Sequence, residues 1–412
     1  MSSATVTAST ATLGELAGSA RPARERGAAQ PGAVRGSEPR FDVLMLLLVS
    51  AILLLGLVMV TSASITVAAH ESGEPFAYLH KQLVLLAAGM VLAAVVFLIP
   101  VAVIERFAMP LLITAGVLLV LVLVPGLGHV VNGSRRWLRL PGLNFQVSEA
   151  ARVLALVYIA HYCVRFESAL RSGWQGLARP LALLALFAVL LVLEPDLGAA
   201  TVLFATGFGV LFIAGAQLRW VMVTVLGAAG ALSMLVMFSS YRMRRFTAFL
   251  DPWADPYNSG FQLTQSLIAI GRGEWFGVGL GASVQKLFYL PEAHNDFLFA
   301  VLAEELGLVG VVLTLGLFLA LAWRVFALAR RANDAGMKFH SFLAAGFALW
   351  LLVQAFVNIG VNMGVLPTKG LTLPLMSYGR SSLIVALGWL GLIMRVHYEV
   401  AGGRPSARGR HA

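Results

Sequence analysis

The sequence predicts an all-α polytopic membrane protein with ten transmembrane helices and one large extracytoplasmic loop between the seventh and the eighth. Three observations predict it. Hydrophobic residues make up 59% of the 412 residues and charged residues 12%, about half the charged share of an ordinary soluble domain, and the mean hydropathy is +0.83. Apolar runs of roughly 20 residues, enough to carry a helix across about 30 Å of hydrocarbon, recur along the chain. One long polar stretch, Tyr241 to Asp296, interrupts them.

Residues 1–40 are rich in Ala, Ser, Gly, Pro and Arg and lack apolar periodicity, which predicts a disordered cytoplasmic tail. The membrane domain occupies 41–399. Its spans fall near 42–67, 80–99, 107–126, 147–165, 180–196, 197–216, 219–240, 296–318, 341–364 and 379–396, with the large loop at 241–295. The first run is too long and too far from the start for a cleaved signal peptide, so it reads as a retained anchor. Cys163 is the one cysteine, sits mid-span and excludes an internal disulfide. A basic tail, 400–412, closes the chain.

Lys and Arg accumulate on cytoplasmic loops. Counting from an inside start, the loops holding Arg106, then Arg165, Arg171 and Arg179, then Arg219, then Arg324, Arg330, Arg331 and Lys338 all fall inside, as do Arg404, Arg408 and Arg410. The net charge of +10 therefore reads as a topology signal with membrane lipids as partners, and no nucleic acid is expected. Two outer segments oppose the rule: Arg135, Arg136 and Arg139 in one loop, and Arg242, Arg244 and Arg245 at the opening of the large loop. They serve an anionic partner, or else contact lipid headgroups or nearby acids.

The residues able to do chemistry gather on that outer side. Asp296 stands where the chain re-enters the bilayer, either as a helix cap or as a partly desolvated general base. Glu304 and Glu305, about 12 Å further along the helix axis, must face the bundle and find donors, so they shape the site rather than react. Glu149 and Arg152 meet on one helix face, fixing the helix or tuning a carboxylate. Glu194-Pro195-Asp196 reads as a re-entrant break, because proline at membrane depth frees carbonyls that need partners. Lys369 and the Ser377–Ser382 run form a donor-rich cap suited to phosphate oxygens or to helix packing. Glu292, His294 and Asp296 could form part of a metal site for a divalent cation, and no other cofactor is indicated. There is no Walker loop, no G-x-G-x-x-G, no H-E-x-x-H and no paired cysteine, so ATP hydrolysis, dinucleotide redox chemistry and zinc proteolysis have no support in the sequence.

Several motifs together resemble one family. Asn132-Gly133-Ser134-Arg135-Arg136-Trp137, Phe145-Gln146-Val147-Ser148-Glu149, Glu194-Pro195-Asp196-Leu197-Gly198, the run GFQLTQSLIAIGRGEWFGVGLGASVQKLFYLPEAHNDFLFAVLAEELG and the run LPTKGLTLPLMSYGRSS look like signatures of the SEDS (shape, elongation, division and sporulation) glycosyltransferases, over residues 41–398. Gln262–Ser266, Val284–Leu287 and Pro367–Thr372 look more like the division member than the elongation member. Val147, Glu194, Asn295 and Arg380 depart from the usual proline, glutamine, threonine and glycine, and Arg152 stands where lysine is commoner.

The resemblance implies polymerisation of lipid II into glycan strands on the outer face of the inner membrane, at the division septum. It implies that Asp296 is the essential carboxylate, with Glu149 and Arg152 nearby and Arg136 and Trp137 in the substrate cavity. Arg135, Arg136, Arg242 and Lys369 then become candidates to hold the donor's pyrophosphate. Glu194, Asp196, Glu292, His294, Glu304, Glu305 and Ser377 are expected to shape the site. The implied partners are a class B penicillin-binding transpeptidase and divisome regulators. The rival readings are a lipid II flippase, whose intramembrane acids and broken helix would look similar, a non-catalytic scaffold, and an elongation polymerase.

Overall fold

The computed structural model describes residues 40–131, 134–140 and 143–402. The predicted N-terminal tail up to residue 39, Asn132 and Gly133 of the arginine loop, and the C-terminal tail from residue 403 lie outside the described residues.

Two long apolar helices open the domain, α1 (Val43–Ser72) and α2 (Ala77–Leu98). Asp42 starts α1 by accepting the Met45 N–H at 3.1 Å, and Gly73 stops it. A short helix α3 (Val101–Arg106) follows Pro100, then α4 (Ala108–Leu123). Between α4 and the next helix the chain forms an antiparallel sheet of β1 (Gly128–Val131), β2 (Ser134–Leu140) and β3 (Leu143–Gln146), in the order β1-β2-β3. Trp137 stands opposite His129 on one side and Gln146 on the other. This corrects the all-helical expectation. The segment is too short and too polar to span a bilayer, and strand pairing satisfies its backbone groups instead.

The remaining helices are α5 (Val147–Arg165), α6 (Glu167–Ser172), α7 (Trp174–Leu193), α8 (Leu197–Ile213), α9 (Leu218–Met237), α10 (Ser240–Leu250), α11 (Phe261–Gly273), α12 (Leu298–Asp334), α13 (Lys338–Asn362) and α14 (Arg380–Ala401). Eight are long and apolar enough to cross a membrane: α1, α2, α5, α7, α9, α12, α13 and α14. Shorter apolar helices, α4 and α8, stand at two further predicted spans. The centre of the bundle is α13, which packs along α12, α8 and α5, while α14 lies along α2. Apolar residues of α13 from Phe339 to Val361 are enclosed over most of the helix, whereas α9 buries little beyond Val221.

The polar stretch 241–295 is more ordered than a loop. Helix α10 occupies its start and α11 its middle, the latter packed on α12 and α13. A second correction concerns the span predicted at 296–318: α12 runs to Asp334 and is broken at Gly307, whose φ of 64° and ψ of −162° are not helical. The backbone groups freed by this break are taken up by the chain at 274–279. Val278 and Gly279 N–H groups donate to the Glu304 and Glu305 carbonyls at 2.9 and 3.1 Å, and Leu308 and Val309 N–H groups donate to Glu274 and Trp275 at 2.9 and 3.1 Å. A helix can break at membrane depth when another backbone segment replaces its lost partners. The first part of α12, Leu298–Glu305, is thereby an enclosed helical segment with its N-terminus directed at the polar side.

Candidate active site

A cavity of about 1620 Å³ opens among β2, the α7–α8 junction, α10, the 288–297 turn, the 367–372 loop and the start of α14. Asp296 lines it. The N-cap of α12 is Phe297, without a side-chain capping bond, so the Asp296 carboxylate is not spent on the helix end. Asn362 on α13 does that work: its Oδ1 accepts the Ala300 N–H at 3.2 Å. The Asn362 and Asn358 amides both donate to the Asp296 backbone carbonyl, at 3.0 and 2.8 Å. The residue is thus fixed through its main chain, and among the described residues nothing hydrogen-bonds its carboxylate. Burial first, then the charge of Glu292, pushes the Asp296 carboxyl up to about 7, with Asp196 adding to the rise and Arg136 and Arg245 opposing it.

Opposite stands a cationic wall. Arg136 on β2 donates through Nε to the Glu194 carbonyl at 3.2 Å and through Nη2 to the Pro195 carbonyl at 2.7 Å, and lies 3.8 Å from Asp196. The carbonyls freed by the predicted proline break have found a guanidinium. Asp196 caps α8 by accepting the Ala199 N–H at 3.0 Å, and its other oxygen accepts from Gln146 and Ser148, each at 3.2 Å. Trp137, Arg242 and Arg380 also line the cavity. Lys369 lines it as well, with its Nζ 3.4 Å from Thr201 Oγ1. Burial lowers the Lys369 ammonium below its ordinary value, and Asp196 partly restores it.

Three residues expected to touch substrate do not line this cavity. Arg135 turns away, its Nη1 donating to the Leu123 carbonyl at 3.1 Å. Glu149 and Arg152 form a buried ion pair beneath the floor. Arg152 also donates to Gln354 at 3.0 Å, and Gln354 donates to the Thr372 carbonyl at 3.1 Å, so the pair braces the Lys369 loop from below.

The residues expected to shape the site divide. Asp196, Glu292 and His294 line the cavity. Glu194 is fully buried behind it, and burial with the Asp196 charge pushes its carboxyl up to about 8. Ser377 ties its own turn by accepting the Leu373 N–H at 2.9 Å. Glu304 and Glu305 hold the 283–286 turn: Glu304 accepts the Val284 N–H at 3.1 Å, and Glu305 pairs with Lys286 at 2.9 Å and accepts from Ser62 on α1. Among the described residues, Glu292, His294 and Asp296 do not assemble into a group able to hold a metal ion. Asn295 Nδ2 donates to the Glu292 carboxylate instead.

Residues missed at the level of sequence are Tyr78, Gln146, Gln354, Asn358 and Asn362. The last three carried a signal. Amides at 354, 358 and 362 recur every fourth position in an apolar run, which places them on one helix face.

The sequence profile of the cell cycle protein family of FtsW, RodA and SpoVE matches residues 42–402. A Thioalkalivibrio sulfidiphilus protein named probable peptidoglycan glycosyltransferase FtsW is 54% identical over 372 residues, covering 90% of this chain and 93% of that protein. A Coxiella burnetii protein of the same name is 47% identical, covering 87% and 96%. Among solved structures, a chain described under structural coordination of polymerization and crosslinking by a peptidoglycan synthase complex superposes with a TM-score of 0.73 at 34% identity, covering 87% of this chain and 98% of that one. The Thermus thermophilus rod shape determining protein RodA superposes with a TM-score of 0.64 at 33% identity, covering 87% and 97%.

Proposed function

The chain belongs to the FtsW, RodA and SpoVE family of cell cycle proteins, and we infer from that membership that it is a peptidoglycan glycosyltransferase that polymerises lipid II. It is an integral membrane protein of the division type, with α4 and α8 completing ten spans and the cavity on the periplasmic face at the septum. The observation that carries the catalytic assignment is the Asp296 carboxylate, held through its main chain and free of hydrogen bonds among the described residues. In the reaction Asp296 takes the proton from the 4-hydroxyl of the acceptor GlcNAc. The hydroxyl oxygen bonds to the donor's anomeric carbon as the bond from that carbon to the polyprenyl pyrophosphate breaks. The electron pair leaves with the pyrophosphate, and the configuration inverts. Pyrophosphate departs as a stable anion and needs no acid, so one carboxylate suffices. Arg136, Arg242 and Lys369 supply the positive charge that stabilises it.

A neighbour described as a complex of polymerization and crosslinking supports a class B penicillin-binding transpeptidase as partner. Purified protein reconstituted with and without that partner on labelled lipid II tests the activity. Glycan strands should form in the wild-type complex, and their absence there would overturn the assignment.

Two further results are expected. A base raised to about 7 is ionised only above that pH, so kcat/KM should climb as pH rises through about 7. Glu292→Gln removes a like charge and should move that limb to lower pH; an unmoved limb would assign the rise to another group. Gly370 is the second test. A Cβ there would sit 2.9 Å from Asp296 Oδ2. Gly370→Ala should lower turnover by about 10–100-fold by displacing the base, with the melting temperature unchanged, whereas unaltered turnover would mean that the carboxylate reacts from elsewhere.

A further inference from the structure

Charge is unevenly distributed around the cavity. Arg136, Arg242, Arg245, Lys369 and Arg380 line it from β2, α10, the 367–370 loop and the start of α14, with one carboxylate, Asp196, 3.8 Å from Arg136 among them. The facing wall, built from the end of α1, the start of α2 and the 290–295 turn, contributes Glu71 and Glu292 and, among the described residues, no lysine or arginine to the lining. Lys81, whose Nζ is 5.2 Å from the centre of the Tyr78 ring, is not a lining residue.

That facing wall is also aromatic. The Tyr78 ring centre lies 4.6 Å from His294 and 5.1 Å from Tyr378, which are themselves 5.6 Å apart. The cluster is fastened at both ends: the Tyr78 hydroxyl donates to Glu71 at 3.0 Å, and the Tyr378 N–H donates to the His294 carbonyl at 3.0 Å. His294 and Tyr378 are buried and Tyr78 is half-buried, so a rigid ring surface meets the cavity through Tyr78. A ring surface edged by carboxylates suits a neutral pyranose, whose C–H face packs on aromatic rings and whose hydroxyls donate to carboxylates. The same surface repels a pyrophosphate, which the cationic wall attracts.

Resting on the glycosyltransferase reading, we propose that Tyr78, His294 and Tyr378 with Glu71 form the acceptor-sugar subsite. They seat the terminal GlcNAc so that its 4-hydroxyl meets Asp296, two residues beyond His294, while the donor's pyrophosphate lies on the cationic wall.

Two analogues separate the subsites. Lipid II with its 4-hydroxyl blocked can only donate, and lipid II with a methylene in place of the anomeric oxygen can only accept. Each is varied with the other saturating, in the reconstituted protein. Tyr78→Leu should raise KM for the acceptor about tenfold and change KM for the donor less than about twofold, while Tyr78→Phe should stay within about threefold of wild type. If Tyr78→Leu fails to fold, Glu71→Gln, on the exposed end of α1, should raise the acceptor KM alone by about threefold. A rise in the donor KM, or an unaltered acceptor KM in a variant that melts like wild type, would overturn the subsite. Failure of the wild type to join the two analogues would overturn the glycosyltransferase reading instead.

Discussion

Asp296→Asn is expected to lower polymerisation of labelled lipid II by at least about 10³-fold, within the range for loss of a positioned general base, and to leave the melting temperature of the purified protein unchanged. The two halves of this expectation come from different atoms. Asn358 and Asn362 grip the backbone carbonyl, which the substitution leaves in place. The side chain makes no hydrogen bond among the described residues and does not cap α12, so its loss removes chemistry without removing structure. A melting temperature that fell together with activity would make the carboxylate a structural group. An isosteric amide that retained near wild-type turnover would leave the reaction without its base.

The largest effect on stability is expected at Lys286. Its ammonium and the Glu305 carboxylate are 4% and 0% exposed and lie 2.9 Å apart. Removing one member of such a pair strands the other, at a cost of about 3–5 kcal/mol. Lys286→Met should therefore lower the unfolding midpoint strongly, and Lys286→Met combined with Glu305→Met should recover most of the loss, since apolar groups can replace a buried pair. The loss should extend beyond one contact, because Ser62 and Thr66 of α1 bond to Glu305 and to the Lys286 carbonyl at 2.7 and 3.1 Å, joining the first helix to the turn that leads to Asp296. Unfolding in detergent, followed by tryptophan fluorescence, checks both variants. Equal stability of the single and double variants would show that the pair contributes packing and not charge compensation.

Much of this architecture was legible in the sequence because bilayer length and apolar runs constrain each other tightly. Asp296 stood out as a carboxylate at a polar-to-apolar boundary. What escaped depends on pairing across distance. The sheet was hidden because β2 carries three arginines in an otherwise mixed run, and nothing local fixes its register. Arg135 and Arg136 look equivalent as letters, but neighbours on a strand project to opposite faces, and only Arg136 reaches the cavity. The break at Gly307 follows Glu304 and Glu305 without any local signal that the helix stops there; its stabilising partners, Glu274 to Gly279, are remote in sequence. The i,i+3 spacing of Glu149 and Arg152 announced their contact but not their depth below the floor. Glu194 is instructive in another way. Its carboxyl is pushed up to about 8 by burial and by Asp196, two properties of the folded α7–α8 junction that the letters Glu-Pro-Asp do not carry.

The asparagine clasp on α13 also governs how the enzyme can be measured. Carboxamides neither gain nor lose a proton across the range in which Asp296 ionises, and their grip needs no ionic partner. The mount of the base is therefore silent to acid and alkali, so the backbone that carries Asp296 keeps its place while the ionisable groups around the cavity titrate.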